Sequence, residues 1–297
     1  MLLVGTSGHL EDLEREYTIA DEVSITAIAV TTAAAPTAYV LLDGERLGRV
    51  EEFEVRPLAE LPAGGGQSLA ADDGTVVVGT SGGHLLSYAV AEGRFSPLES
   101  FDSVEGREGW ENPANPTPDL RSLAVTASGA WLANVHVGGL WRSSDKGRSW
   151  ACVIEPEDDV HEVGAGAGGA AVVAAARGFA WSLDDGVTWE WTTEGLHAGY
   201  CRAVALDGRT AYVTASSGPY ASDGRLYRGE LGSGLEAVTA GLPDSFPFNL
   251  DTGCLAVRRG EVVFGTADGR VFRSEGAGAR FEVVAERMRP VLVVRFA

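Results

Sequence analysis

A β-type run ending in small residues recurs seven times along the chain, and this repeat limits the possible folds more than any other feature. The copies begin at Leu2-Leu3-Val4-Gly5-Thr6, Ala38-Tyr39-Val40, Val76-Val77-Val78-Gly79-Thr80, Trp131-Leu132-Ala133, Ala171-Val172-Val173, Ala211-Tyr212-Val213 and Val262-Val263-Phe264-Gly265-Thr266. Two are almost word for word: Gly5-Thr6-Ser7-Gly8-His9-Leu10 and Gly79-Thr80-Ser81-Gly82-Gly83-His84-Leu85. Every copy but the first follows a second apolar run, at 25–30, 68–71, 122–125, 160–164, 203–206 and 254–257. Taking these runs as strand A, the copies as strand B and two further strands as C and D, the spacing of roughly 40 residues suits four-stranded blades stacked side by side.

The first copy lacks a strand A. Val291-Leu292-Val293-Val294-Arg295-Phe296 reads as a strand A with no B after it. The two ends are therefore expected to share one blade, which closes the ring and removes two open sheet edges. The predicted fold is all-β, a seven-bladed β-propeller of four-stranded antiparallel blades, in one domain over residues 1–297. Blade 1 combines 291–297 with 1–20, and blades 2 to 7 fall at about 24–58, 67–98, 119–155, 159–194, 200–240 and 252–286.

Composition narrows the function. The formal net charge is −19, from 42 acidic and 23 basic residues. A field of that sign repels phosphate backbones and anionic lipid, so neither nucleic acid nor a membrane surface is expected as a partner. No basic, apolar leader precedes the first repeat, and no apolar run reaches the length of a membrane span. Cys152, Cys201 and Cys254 are odd in number and lack a CxxC spacing, which argues against a disulfide framework or zinc knuckle. A cytoplasmic location is expected.

Two segments carry S-x-D-x-G-x-[ST]-W in full: Ser143-Ser144-Asp145-Lys146-Gly147-Arg148-Ser149-Trp150 and Ser182-Leu183-Asp184-Asp185-Gly186-Val187-Thr188-Trp189. A third, from Ser274 to Phe281, keeps the Ser and the second Gly and has Phe for Trp. Here the chain resembles the Asp-box (BNR-repeat) propellers, a group that spans sialidases and many non-enzymatic repeat proteins of the WD40/YVTN/BNR-like kind. Asp145 and Asp184 are read as turn hardware: Asp accepts backbone N–H bonds, Gly takes the φ > 0 position, and Trp buries its ring between sheets.

In such a ring the D–A and B–C connections share one face, and all five histidines map to it. Aligned A strands put Gln67, Arg121, His161 and Arg202 at equivalent starting positions, with Asp119, Glu162, Tyr200 and Asp251 nearby. Insertions at 99–118, with Trp110 and three prolines, and at 241–253, with Phe246-Pro247-Phe248, fall on the same face. Long loops in a compact ring are more often functional than accidental. Expected ligand contacts are Arg121, His136, His161, His197 and Arg202. No i, i+4 or short-spaced pair supports a metal site, so no metal and no cofactor are expected.

The function expected is non-enzymatic: a repeat propeller that binds a small ligand, glycan or protein partner at this face. The alternative is a glycoside hydrolase. The resemblance to sialidases implies an arginine cluster for the sugar carboxylate, with Tyr200, Glu162 and Asp251 as candidate catalytic residues. The family's Arg-Ile-Pro signature is absent.

Overall fold

The structure, a computed structural model, describes residues 1–31, 35–72, 74–113, 117–286 and 288–297. Pro116, one of the three prolines in the first insertion, lies outside them. Seven antiparallel sheets of four strands account for nearly all the regular structure. Helix among the described residues is limited to one turn, Glu99–Asp102, and three 3-10 turns.

Burial falls off from strand B outwards. Strands B at Leu2–Thr6, Ala38–Leu42, Trp131–Val135 and Ala171–Ala175 are buried at every position. Each is paired on both edges and covered on both faces by neighbouring blades, so its sequence is a continuous apolar run rather than an alternation. Strands D, such as Val55–Glu60 and Glu236–Ala237, are largely exposed. Strands A form the inner ring, each against the next: Val291–Phe296, Ile25–Val30, Gly66–Asp72, Leu120–Val125, Val160–Ala165, Tyr200–Asp207, Leu255–Arg258, and back to the first.

Ring closure is as the repeat implied. Val291–Phe296 pairs antiparallel with Leu2–Thr6, with Leu2 opposite Phe296 and Val4 opposite Val294. The Gly-Thr that ends these strands also has a packing reason. At Gly79 and Gly265 a methyl group would overlap Leu120 and Val291, which belong to strand A of the following blade. The result is a seven-bladed β-propeller.

The two S-x-D-x-G loops fold alike at the C–D corners of blades 4 and 5. In the first, Asp145 Oδ1 accepts the Arg148 and Ser149 amides at 3.0 and 2.9 Å, and the Gly147 amide donates to Ser143 Oγ at 2.8 Å. In the second, Asp184 Oδ1 accepts the Val187 and Thr188 amides at 3.1 and 2.9 Å, and Thr188 Oγ1 donates to Oδ2 at 2.7 Å. Trp150 and Trp189 are only half-buried, not sealed between sheets as expected. Trp189 Nε1 donates back to the Gly186 carbonyl at 3.2 Å, which keeps the ring at the loop.

These bonds hold both carboxyls down at about 2, for Asp184 chiefly through the Thr188 amide and for Asp145 through Ser149. A depressed folded-state value means the contribution is present above the ordinary carboxyl range and is lost as pH falls towards the folded value. Asp184→Asn is therefore expected to melt below the wild type at about pH 6, with the gap narrowing below about pH 4 and closing only as pH passes the folded value of about 2. Thermal melts across that range check this, and a gap that persists in acid contradicts it.

Candidate functional site

Where strand A pairs with strand B, the ladder slips by one residue at the same level in six blades. The shifts fall between Ile25 and Ala27, Gly66 and Ser68, Leu120 and Ser122, Val160 and Glu162, Cys201 and Val204, and Val291 and Val293. A bulge of this type inserts an unpaired residue and re-aims its side chain. The residues so placed are Thr26, Gln67, Arg121, His161, Leu292 and, within the shift after Cys201, Arg202. All but His161 line one cavity of about 680 Å³ at the channel mouth.

Arg121 and Arg202 share a single acidic partner. Asp251 lies 2.9 Å from Arg202 Nη1 and 3.8 Å from Arg121 Nη2. Both arginine side chains are largely buried, 14% and 19% exposed, whereas Asp251 is 55% exposed. Burial, and next the charge of Arg202, push the Arg121 guanidinium below its ordinary value. Arg202 also stands over the Tyr200 ring, 5.4 Å from its centroid, and donates to the Pro219 carbonyl at 3.3 Å. At the adjoining strands Gln67 Nε2 donates to Asp119 Oδ1 at 3.0 Å, and Asn112 donates to the other oxygen. Tyr220, 97% exposed, stands at the rim.

Glu162 is buried and spans blades. Its carboxylate accepts the Val204 amide at 3.0 Å and the Gly253 amide at 3.1 Å, and Arg295 approaches to 3.7 Å. Burial raises its carboxyl to about 7 despite Arg295 and those amides. A second cavity, lined mainly by Ala, Val and Leu, adjoins the first, and Ile28, Leu69, Glu162 and Arg295 line both.

The histidines divide. His136 lines the mouth, its Nε2 3.4 Å from Asp159; burial, then Arg121, lowers it to about 4, so the ring is neutral at ordinary pH. His161 is fully buried behind the wall, 4.7 Å from the Tyr200 ring, and its Nδ1–H donates to the Cys201 carbonyl at 2.5 Å. His197 is not among the cavity residues. It accepts from Tyr227 Oη at Nδ1, 2.6 Å, and faces Asp223 at 3.3 Å, stacked on the Tyr227 ring. His9 is held by Thr6, and His84 by Asp102. Burial pushes the Cys201 thiol up to about 12, which leaves no reactive thiolate there.

The insertions turn out to be mostly packing. Phe101, Trp110 and Trp141 form an aromatic cluster with ring centroids 5.3–6.3 Å apart, and only Asn112 and Pro113 of the described loop reach the cavity. Phe246 likewise packs edge-on against Phe264 and Phe272, leaving Asp251, Thr252 and Gly253 at the mouth. Sequence reasoning missed Asp159, Tyr220 and Arg295. The one legible signal was Arg295, the only charge inside an otherwise apolar closing strand.

Other known proteins share this architecture at low identity. RRP9 WD40 repeats superpose with a TM-score of 0.67 at 12% identity, covering 100% of this chain and 89% of that one. The computationally designed Ika8 protein gives 0.66 at 14%, covering 99% and 87%. The GH74 xyloglucanase of Xanthomonas campestris gives 0.65 at 15%, covering 94% of this chain but 46% of that chain. The likeness is one of fold. No family model matches the chain, and no curated protein matches it. A xyloglucanase and a WD40 repeat protein both share the ring, so function rests on the site.

Proposed function

We propose that this chain is a non-enzymatic Asp-box propeller whose channel mouth binds a small acidic ligand of sugar-acid size. One observation carries the reading: Arg121 and Arg202, both largely buried beside the cavity, share the single carboxylate of Asp251. Two guanidiniums against one carboxylate leave donors for a second anion, and arginine's planar fork suits a carboxylate. A chain of net charge −19 otherwise offers such a ligand little attraction. A volume of about 680 Å³ matches a small-molecule site, with Tyr200 and Tyr220 available to cover a ring face. Three free cysteines fit the reducing, cytoplasmic setting expected from the sequence.

The glycosidase alternative draws on the same residues but is less well supported. Its nucleophile would need a carboxylate within hydrogen-bond reach. Among the described residues no hydrogen bond joins the Tyr200 hydroxyl to a carboxylate, burial raises that hydroxyl above its ordinary value, and Glu162 is committed to two backbone amides.

The test is calorimetry and thermal shift with uronic and sialic acids against the matching neutral sugars. An acid should raise the melting temperature while its neutral counterpart does not. Arg202→Ala should weaken binding about thirtyfold or more, the cost of truncating one partner in a buried charged pair. Equal binding of neutral sugars, or an undiminished shift in Arg202→Ala, would sink the reading. Turnover of a fluorogenic glycoside would favour the hydrolase instead.

A further inference from the structure

Beside the arginine pair, three side chains from two blades converge without an assigned task. His136 follows strand B of blade 4, and Asp159 and His161 open strand A of blade 5. One ligand atom from each lies within 4.8 Å of the others. Both imidazole Nε2 atoms stand 3.4 Å from Asp159, His136 from Oδ1 and His161 from Oδ2. Bonds of about 2.1 Å meeting at the tetrahedral angle put neighbouring ligand atoms about 3.4 Å apart.

The state of His161 points the same way. Its Nδ1 carries a proton, since a carbonyl can only accept, which leaves Nε2 as the ring atom turned towards Asp159 and able to ligate. That Nε2 is buried and has no hydrogen-bond partner, and neither has Asp159 Oδ1. His161 Nε2 faces Asp159 Oδ2 and the unpartnered Oδ1 faces His136 Nε2, so the carboxylate stands between two imidazole nitrogens, and a cation among them would satisfy the buried acceptors. A ring N–H fixed on a backbone carbonyl, with the other nitrogen turned inward, is the usual bearing of a metal-ligating histidine. The backbone on both sides is strained to hold the cluster: Asp159 has φ +46° and the β-branched Val137, next to His136, has φ +48°. Arg121 and Arg202 oppose a cation here, and Asp251, facing both, offsets them.

We propose that His136, Asp159 and His161 bind one divalent zinc-class cation, with its remaining coordination directed into the mouth cavity that His136 and Asp159 line. Two imidazoles and a carboxylate are the donors such an ion takes in open sites, where a further position is left for a ligand. The inference stands apart from the acidic-ligand reading, because the ion can be titrated alone.

Chelator-stripped full-length chain should take up one zinc ion with a dissociation constant below about 1 µM, and cobalt should give the visible absorption of a low-coordinate site. His136→Ala and Asp159→Asn should each weaken uptake about a hundredfold, with metal-free melting showing the variants folded. Zinc uptake that survives both ligand substitutions would assign the ion to surface carboxylates and overturn the site, as would no uptake by the wild type. Two variants guard against one failing to fold.

Discussion

Val294→Asp is expected to open the ring and lower the melting temperature by about 10 °C or more, or to prevent folding altogether. Val294 is fully buried, sits opposite Val4, and packs with Leu2, Val263, Val271 and Val291. Its amide also donates to the Gly253 carbonyl at 2.9 Å, tying the closing strand to blade 7. The substitution removes about 1.5–3 kcal/mol of apolar burial. It also desolvates a carboxylate with no partner, at several kcal/mol more. Together these approach the whole stability of an ordinary domain, about 5–15 kcal/mol. Val294→Ala loses only the burial and should melt in between. An aspartate variant that melts with the wild type would mean the last strand does not close the ring.

Gly241→Ala should be nearly as damaging, for a reason found in the backbone. Thr193-Glu194-Gly195-Leu196 and Thr239-Ala240-Gly241-Leu242 form matching turns, closed by Leu196 and Leu242 amides donating to the Thr193 and Thr239 carbonyls at 3.1 Å. The glycines have φ of +85° and +76°. Each turn abuts strand D of the next blade, and the Phe281 amide donates to the Ala240 carbonyl at 2.9 Å. A methyl on Gly241 would fall inside contact distance of the Phe281 carbonyl oxygen, which has no side-chain freedom to give way. Gly208 has φ +61° with open space around it, so Gly208→Ala isolates the conformational term of about 1–2 kcal/mol. Gly241→Ala should cost that plus the displacement of the neighbouring strand, about 3 kcal/mol or more. Chemical denaturation of the two variants decides it: equal losses would show that the close approach carries no weight.

How far the sequence could be read depends on whether a feature repeats. The Gly-Thr runs, the orphan strand at 291–296 and the phase of Gln67, Arg121, His161 and Arg202 were legible because each blade restates the same geometry. What lay between blades was not. His161 is buried because the Cys201 carbonyl of the next blade accepts its proton, and His197 is taken up by Tyr227 from a strand C that spacing does not link to it. Trp110 resembled a loop residue at a mouth, yet it packs in an aromatic cluster with Phe101 and Trp141. Asp159 precedes its strand in a left-handed conformation, so no strand pattern marked it. The Thr-x-Gly-Leu turns were in plain view as a twice-repeated word whose meaning required the adjoining strand.

Ile28, Leu69, Glu162 and Arg295 line both cavities, so the upper and lower chambers of the axial passage meet at one set of side chains. A solute moving from the histidine-bearing face to the lower chamber would pass Glu162 and Arg295, 3.7 Å apart, and then side chains such as Ala71, Val125, Ala165 and Val257. A solute that stops in the upper chamber therefore has Pro219 and Tyr220 on one side and the Glu162–Arg295 pair on the other, so its two ways out differ in the charge it must pass.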